Sequence, residues 1–376
     1  MPKKYTFIDL FAGAGGLSLG LEQAGFTPCF VNEIVPEYCA TYKANRDLPD
    51  ERYFIGDINS LNEHLDEFAH FMHGATLVCG GPPCQGFSMA NRQRILDDPR
   101  NQLYKAYLTF LSKVRPKFFI MENVKGMANK IDEIRQNFRE YLGDEYLFDF
   151  ELFKAQDYGV PQNRERLIFI GNRMGIEPKE IFAEIHKNRR QAFVLRDALV
   201  GLPHLEAKAE KGKTDIENEQ SGFTERNFVY VDNEFYHFIN GDRTISKLYN
   251  HKNRYNNPRD IEIFRRLPQG ANSLHESIAD IMPYKSRNDI FKDKYFKLSE
   301  EQICKTITAH MRFDCNMYIH PWEARGLSPR EAARIQTFPD DYVFTGSQNS
   351  WYAQIGNAVP VKLAQAIGMG VMRFLK

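Results

Sequence analysis

The sequence predicts an α/β protein: a mostly parallel sheet with helices on both faces, plus a smaller irregular or β-rich domain. Two observations carry this. Short apolar strands alternate with helix-period segments through the first half of the chain, and the alternation disappears in a long stretch of the second half. A third observation points to function, because residues able to do chemistry recur where the predicted strands end.

The elements follow in order. Tyr5 to Phe11 is a continuous apolar run, as a central parallel strand requires. Ala12-Gly13-Ala14-Gly15-Gly16 then turns the chain into an amphipathic helix from Leu17 to Ala24, and Gly25 occupies a helix-capping position. The next strand, Pro28 to Asn32, ends at Glu33. An acid about 20 positions beyond a glycine-rich turn is the ribose-binding half of a dinucleotide fingerprint. Here, however, Phe11-x-Gly13-x-Gly15-Gly16 replaces Gly-x-Gly-x-x-Gly, and no neighbouring basic residue would neutralise a pyrophosphate. The loop suits an adenosine whose far end is not a phosphate, and S-adenosylmethionine fits that description.

A third strand, Arg52 to Ile58, would place Asp57 where an adenine amino group could be bound. Thr76 to Cys79 is a fourth strand, followed by Gly80-Gly81-Pro82-Pro83-Cys84-Gln85-Gly86-Phe87-Ser88. Paired glycines and prolines make a stiff, non-helical loop that aims Cys84, and a thiolate is a strong nucleophile near neutral pH. Leu103 to Val114 is helical in period, and Lys117 to Met121 delivers Glu122-Asn123-Val124. Open α/β sheets bind ligands at the carboxyl ends of their strands, so Glu33, Asp57, Cys84 and Glu122 should line one crevice.

Composition bounds the reading. The 376 residues, 43% of them hydrophobic, suffice for two domains. No segment approaches the roughly 20 apolar residues of a membrane span, and Met1-Pro2-Lys3-Lys4 leads straight into a strand, so a cytoplasmic protein is expected, with no membrane partner. The cysteines at 29, 39, 79, 84, 304 and 315 include no Cys-x-x-Cys pair, which argues against zinc; no metal is expected. Net charge is +0, but it hides an asymmetry. Leu205 to Asp242 carries 9 acidic against 4 basic residues, whereas Arg243 to Phe313 carries 14 Lys/Arg against 8 Asp/Glu, enough for a nucleic-acid face.

Taken together, Asp9 to Gly16, Pro83-Cys84-Gln85, Glu122-Asn123-Val124 and Gln162-Asn163-Arg164-Glu165-Arg166 resemble the DNA (cytosine-5) methyltransferases of bacterial restriction–modification systems. Two later blocks agree, Arg330 to Pro339 and Gln354 to Pro360. The resemblance covers 5–172 and 326–376 and implies a Rossmann-like, S-adenosylmethionine-dependent methyltransferase fold. It implies a catalytic domain over 1–172, a target-recognition domain over 173–325, and a return to the catalytic domain over 326–376, with a closing helix from Val361 to Phe374 begun by Pro360.

It also implies a mechanism. Cys84 would add to carbon 6 of a flipped-out cytosine, turning carbon 5 into a nucleophile. Glu122 would hydrogen-bond or protonate ring nitrogen 3, Arg164 would hold the base's carbonyl oxygen, and Arg166 would position Glu122. Loss of the carbon-5 proton and expulsion of Cys84 would leave 5-methylcytosine and S-adenosylhomocysteine. The cofactor would touch Phe11, Gly13, Gly15, Gly16, Leu17, Glu33, Asp57, Ile58, Pro83, Leu103 and Asn357. Double-stranded DNA would meet Gln85, Ser88 and Arg92 after the nucleophile, and Arg254, Arg265, Lys285 and Arg287 in the recognition segment, where basic residues interleave with aromatics. Thr306 to His310 reads as a strand. A separate cognate restriction endonuclease is an expected partner of a bacterial or phage-encoded, monomeric enzyme. The same chemistry on tRNA, and a DNA-binding protein without catalysis, are the competing readings.

Overall fold

The computed structural model describes residues 5–83, 103–211, 216–283 and 294–376. Contacts divide the chain into two compact units: Met1–Gly159 with Glu165–Gln191 and Ala358–Lys376, and Val160–Arg164 with Ala192–Asn357. These limits differ from the expected 172/173 and 325/326 boundaries. Residues 173–191 pack with the first unit, 326–357 with the second.

The first unit alternates as expected: β1 (Tyr5–Leu10), α1 (Gly16–Gln23), β2 (Phe26–Glu33), α2 (Pro36–Ala44), β3 (Tyr53–Ile55), α3 (Ile58–Glu63), α4 (Leu65–Met72), β4 (Leu77–Gly80), α5 (Leu103–Val114), β5 (Phe118–Asn123), α6 (Ile131–Leu142), β6 (Leu147–Lys154), β7 (Glu165–Asn172) and α7 (Pro178–His186). The sheet order is β3-β2-β1-β4-β5-β7-β6. The order reverses direction between β1 and β4, a switch point where α/β sheets open a crevice. The loops after these two strands are the glycine turn and the Gly81-Pro82-Pro83 segment.

Apolar runs explain the central strands. Phe7, Ile8, Leu10, Leu77, Val78, Phe118, Phe119 and Ile120 are fully buried, as strands covered on both faces should be. β7 is antiparallel to both of its neighbours, pairing Glu122 with Ile168 and Asn123 with Leu167. The start of β7 therefore lies beside the end of β5.

The second unit is less regular. Its helices are α8 (Leu195–Leu199), α9 (Glu234–Asn240), α10 (Pro258–Arg266), α11 (Pro329–Ile335) and α12 (Gln348–Asn357). Its one described ladder pairs β8 (Gly222–Asn227) with β9 (Lys247–Lys252). The apolar clusters are small; one contains Phe228, Tyr236, Ile245 and Leu248, another Ile263, Phe264, Leu267, Ile278, Tyr295 and Ile319. Buried arginines supply the rest. Arg325 donates to both Glu331 oxygens at 2.8 and 2.6 Å, and Arg334 to both Asp340 oxygens at 2.7 and 2.8 Å.

One expectation fails here. Thr306 to His310 is not a strand; the chain instead makes a 3₁₀ turn over Ala309–Arg312, because its backbone finds carbonyl and side-chain partners rather than a neighbouring strand. Gly356 and Asn357 complete α12. Among the described residues no helix is long and apolar enough to cross a membrane.

The closing helix α13 (Val361–Met372) returns to the first unit and packs on α1. Gly20 makes this contact close: a Cβ there would lie 2.4 Å from the Ala364 Cβ and 2.5 Å from the Gln365 nitrogen and Val361 oxygen. None of those atoms can rotate away. Helix propensity favours alanine by about 1 kcal/mol, but overpacking costs about 1–3 kcal/mol. Gly20→Ala should therefore lower stability by about 1–2 kcal/mol, read as a lower denaturant midpoint at unchanged m-value. A higher midpoint would contradict the close packing of the two helices.

Candidate active site at the carboxyl edge of the sheet

The glycine turn begins with strain. Phe11 has φ 56°, a left-handed conformation costly for a residue with a Cβ. The backbone beyond it folds onto Glu33, whose Oε2 accepts from the Gly13 N–H at 2.7 Å and Oε1 from Val35 N–H at 2.8 Å. Glu33 is buried, and burial raises its pKa against the opposing pull of these amides. A carboxylate has about four acceptor positions, and the Gly13, Val35 and Ile34 amides leave about one for a ribose hydroxyl.

Next to Glu33 in register is Ile55, and Ile34 follows it. Both are exposed, at 46% and 58%. Two apolar side chains at adjoining strand ends make a surface on which a flat aromatic base could lie, and sequence reasoning missed them; the signal was an isoleucine at each strand end. Asp57 is exposed and caps α3, its Oδ1 accepting from Asn59 N–H at 2.7 Å. Ile58 begins α3 and is buried; Gly16 and Leu17 begin α1, and Leu103 begins α5.

The glycine turn does have a basic neighbour, contrary to the sequence expectation. Arg46 reaches it from beyond α2, donating to the Gly15 carbonyl at 3.1 Å and to Glu22 at 2.6 Å, with its guanidinium 3.8 Å over the Tyr42 ring. Its charge is neutralised and buried there, so it tethers the turn rather than meeting a phosphate.

Beneath the turn lies a buried polar cluster that the sequence did not reveal. Ser18 Oγ donates to Asp9 Oδ2, Tyr42 OH donates to Ser18 Oγ at 2.8 Å, and Cys79 Sγ donates to Asp9 Oδ1 at 3.5 Å. Burial pushes the Asp9 pKa up to about 7 despite these donors.

The loop after β4 meets Glu122 at the end of β5. A Cβ on Gly81 would sit 2.9 Å from Glu122 Oε2, so only glycine admits the carboxylate this close. Asn123 ties the same loop down, its Nδ2 donating to the Pro82 carbonyl at 3.1 Å. Glu122 Oε1 lies 2.5 Å from Arg166 Nε, the two side chains 13% and 14% exposed. The contact is an ion pair rather than an aligned hydrogen bond, since the Nε–H finds no acceptor in line with it. Pro83 completes the described part of the loop; Cys84, Gln85, Ser88 and Arg92 lie outside the described residues, as do Lys285 and Arg287.

Arg164 is not with Arg166. It belongs to the second unit and is buried, donating to the Ile307 carbonyl at 2.7 Å and the Gly356 carbonyl at 3.1 Å. Its two-residue spacing from Arg166 would put both on one strand face, but β7 starts at Glu165, after the chain has left the second unit. Both of those Arg164 donations go to backbone carbonyls of its own unit. Asn357 is the last residue of α12, also in the second unit. Arg254 is likewise structural: it donates to the Met311 carbonyl at 2.6 Å and the Phe313 carbonyl at 3.0 Å, and stacks 5.6 Å over Tyr352. Arg265 is exposed and paired with Glu262 one turn away. Among the described residues no cluster of three His, Cys, Asp or Glu side chains could hold a metal ion.

Comparison with known proteins bears on this geometry. The family described as C-5 cytosine-specific DNA methylase matches residues 5–373. The chain is 33% identical to the type II methyltransferase M1.HphI of Haemophilus parahaemolyticus, over 98% of this chain and 87% of that one. It is 34% identical to the type II methyltransferase M.PspPI of Psychrobacter sp., over 99% and 80%. Among solved structures, one from an Escherichia coli prophage, described as a DNA modification methyltransferase, superposes with a TM-score of 0.75 at 27% identity, covering 99% of both chains.

The buried carboxyl beneath the glycine turn sets a pH signature. Asp9 keeps its proton in the folded state up to about pH 7 but loses it near 3.8 when unfolded. Its contribution to stability is thus complete below pH 3.8 and lost as pH rises through 7. Relative to Asp9→Asn, the wild type should lose on the order of a few kcal/mol between pH 4 and 7, measured as urea midpoints at both pH values. A difference that does not change with pH would show that Asp9 does not titrate in that window.

Proposed function

This chain belongs to the C-5 cytosine-specific DNA methylase family and is a DNA (cytosine-5) methyltransferase of restriction–modification type, and from that premise we propose how its residues act. The target is a cytosine flipped out of a specific double-stranded DNA sequence, at a cost of a few kcal/mol. The observation that carries the reading is the Glu122–Arg166 pair, set against Gly81-Pro82 at the mouth of the loop that leads to Cys84.

In this reading the Cys84 thiolate bonds to carbon 6 of the ring, and the electron pair displaced toward nitrogen 3 takes up a proton that Glu122 relays from water. Carbon 5 becomes an enamine carbon. Once it carries the methyl group it gives up its proton to water, the carbon–sulfur bond breaks and the thiolate leaves, and the proton on nitrogen 3 returns through Glu122. Arg166 both positions Glu122 and is the guanidinium at hand for the base's carbonyl oxygen, replacing Arg164 in that role. Arg164 instead fixes the 307 and 356 segments of the second unit.

S-adenosylmethionine supplies the electrophilic methyl group when bound. The donor set fits it: Glu33 retains an acceptor position for a ribose hydroxyl, Asp57 is exposed at a strand end for the adenine amino group, and Ile34 and Ile55 offer an apolar bed. Phe11, Gly13, Gly15, Gly16, Leu17, Ile58, Pro83, Leu103 and Asn357 complete the proposed contacts. The segment 173–325 contains most of the basic block and is proposed to recognise DNA, with the enzyme acting as a cytoplasmic monomer beside a separate restriction endonuclease.

Three measurements test this. Tritiated S-adenosylmethionine, offered with duplex DNA and with tRNA, should label DNA only, at cytosines that bisulfite sequencing places in one short sequence. Label in tRNA alone would overturn the DNA assignment. Cys84→Ser should bind cofactor and DNA while losing methyl transfer by at least a thousandfold, and near-normal turnover would remove Cys84 as nucleophile. Glu33→Ala should weaken cofactor binding roughly ten- to a hundredfold, read as a dissociation constant by calorimetry; an unchanged constant would remove Glu33 from the ribose site.

A further inference from the structure

The second unit holds one turn with unusual rigidity. Gly356 presses against its entrance: a Cβ there would lie 2.2 Å from the Ala309 nitrogen and the Thr308 carbonyl carbon. The Ile307 carbonyl just before it accepts from Arg164. The 3₁₀ turn Ala309–Arg312 then buries Met311 completely. Arg254 grips the far side, one guanidinium donating to the Met311 and Phe313 carbonyls while stacked on the fully buried Tyr352. Every inward group of this turn has a fixed partner.

What the turn presents outward is Phe313, 61% exposed. Arg312 lies 4.5 Å over its ring, and the His310 ring meets it edge-on at 5.4 Å. Asp314 stands 3.9 Å from His310. Burying a phenylalanine is worth about 1.5–3 kcal/mol, so a folded chain gains by turning such a ring inward. Here the Arg254 hydrogen bonds to the Met311 carbonyl and to the carbonyl of Phe313 itself hold it out. An exposed apolar ring with a guanidinium over one face has the chemistry of a nucleobase platform beside a phosphate: the ring stacks on a base face, and the guanidinium neutralises the backbone.

We propose that Phe313 is a DNA-contacting residue whose ring stacks on a base face that the bound DNA exposes, with Arg312 on a flanking phosphate. The assignment rests on the proposed function and adds to it a specific stacking group. It needs no movement of the turn, because the pedestal is already built.

The test uses the full chain and a duplex carrying 2-aminopurine at the target position, with S-adenosylhomocysteine present. Phe313→Ala should raise the dissociation constant for duplex DNA about five- to a hundredfold and diminish the rise in 2-aminopurine emission that reports the flipped base. The dissociation constant for S-adenosylhomocysteine and the thermal midpoint should stay at wild-type values. Phe313→Trp should restore both DNA readouts, since any flat ring can stack. Arg312→Ala should weaken binding to all sequences and reduce the slope of log affinity against log salt by about one. The proposal is overturned if Phe313→Ala binds and flips like the wild type, if Phe313→Trp is as defective as alanine, or if Phe313→Ala lowers the thermal midpoint by several degrees. A wild type that neither binds nor methylates DNA would bring down the proposed function as well; a wild type that does both beside an unaffected Phe313→Ala removes only this residue.

Discussion

The catalytic edge depends on a strand that runs against its neighbours. Had β7 been parallel to β5, Arg166 would lie at the opposite end of the sheet from Glu122. Antiparallel pairing brings the first residues of β7 alongside the last residues of β5, and the register Glu122↔Ile168 places Arg166 two residues beyond, within ion-pair distance. Strand faces alternate, so a slip of one residue would turn Arg166 to the other side of the sheet. The apolar sequence Leu167-Ile168-Phe169-Ile170, almost entirely buried, makes that slip costly. Because both charged groups are mostly removed from water, loss of either would leave the other desolvated and unpaired, a larger penalty than a surface pair would show.

The second unit solves a different problem. Its chain is irregular, so many carbonyls have no ladder or helix partner, yet buried backbone groups must be hydrogen-bonded. Arginine, with five donors on a rigid plane, can satisfy several at once. Arg164 takes two carbonyls, and Arg254 takes two more. Arg330 takes three, those of Tyr249, Pro339 and Tyr342. Arg325 and Arg334 add buried carboxylates, and two nearby histidines stay neutral because burial lowers the pKa of His251 to about 4 and of His320 to about 3. Small apolar clusters alone would leave this unit loosely specified. The guanidinium network gives it one arrangement.

This contrast explains what was legible in the sequence. The first unit is built from local periodicity: β1, β2, β4 and β5 fall within a few residues of their apolar runs, and Glu33, Asp57 and Glu122 stand at strand ends because strand length fixes them there. The arrangement of β7 is non-local, since neither its direction nor its place between β5 and β6 is written in its own residues. The separation of Arg164 from Arg166 hangs on where the chain crosses between units, which a motif of alternate residues hides. Thr306 to His310 has strand composition but no neighbour to pair with. The Asp9–Ser18–Tyr42 cluster needed α1 and α2 in place before three unremarkable residues could be seen to meet.

Charge counting was the weakest guide, for the same physical reason. The basic excess between Arg243 and Phe313 looks like a broad phosphate-binding face, yet many of its described cations are already engaged within the chain. Arg243 pairs with Asp341, Lys252 with Glu217, Arg265 and Arg266 with Glu262, and the Lys297 ammonium donates to the Phe264 carbonyl. Arg254 is locked under its turn. A cation engaged by a carboxylate or a buried carbonyl contributes little to counterion release on binding DNA. Arg312 differs in kind: its guanidinium lies on an exposed ring, where an incoming phosphate can reach it without first breaking an ion pair. The block's formal charge therefore overstates its footprint on DNA, and the effective surface is set by which guanidiniums the irregular backbone leaves over.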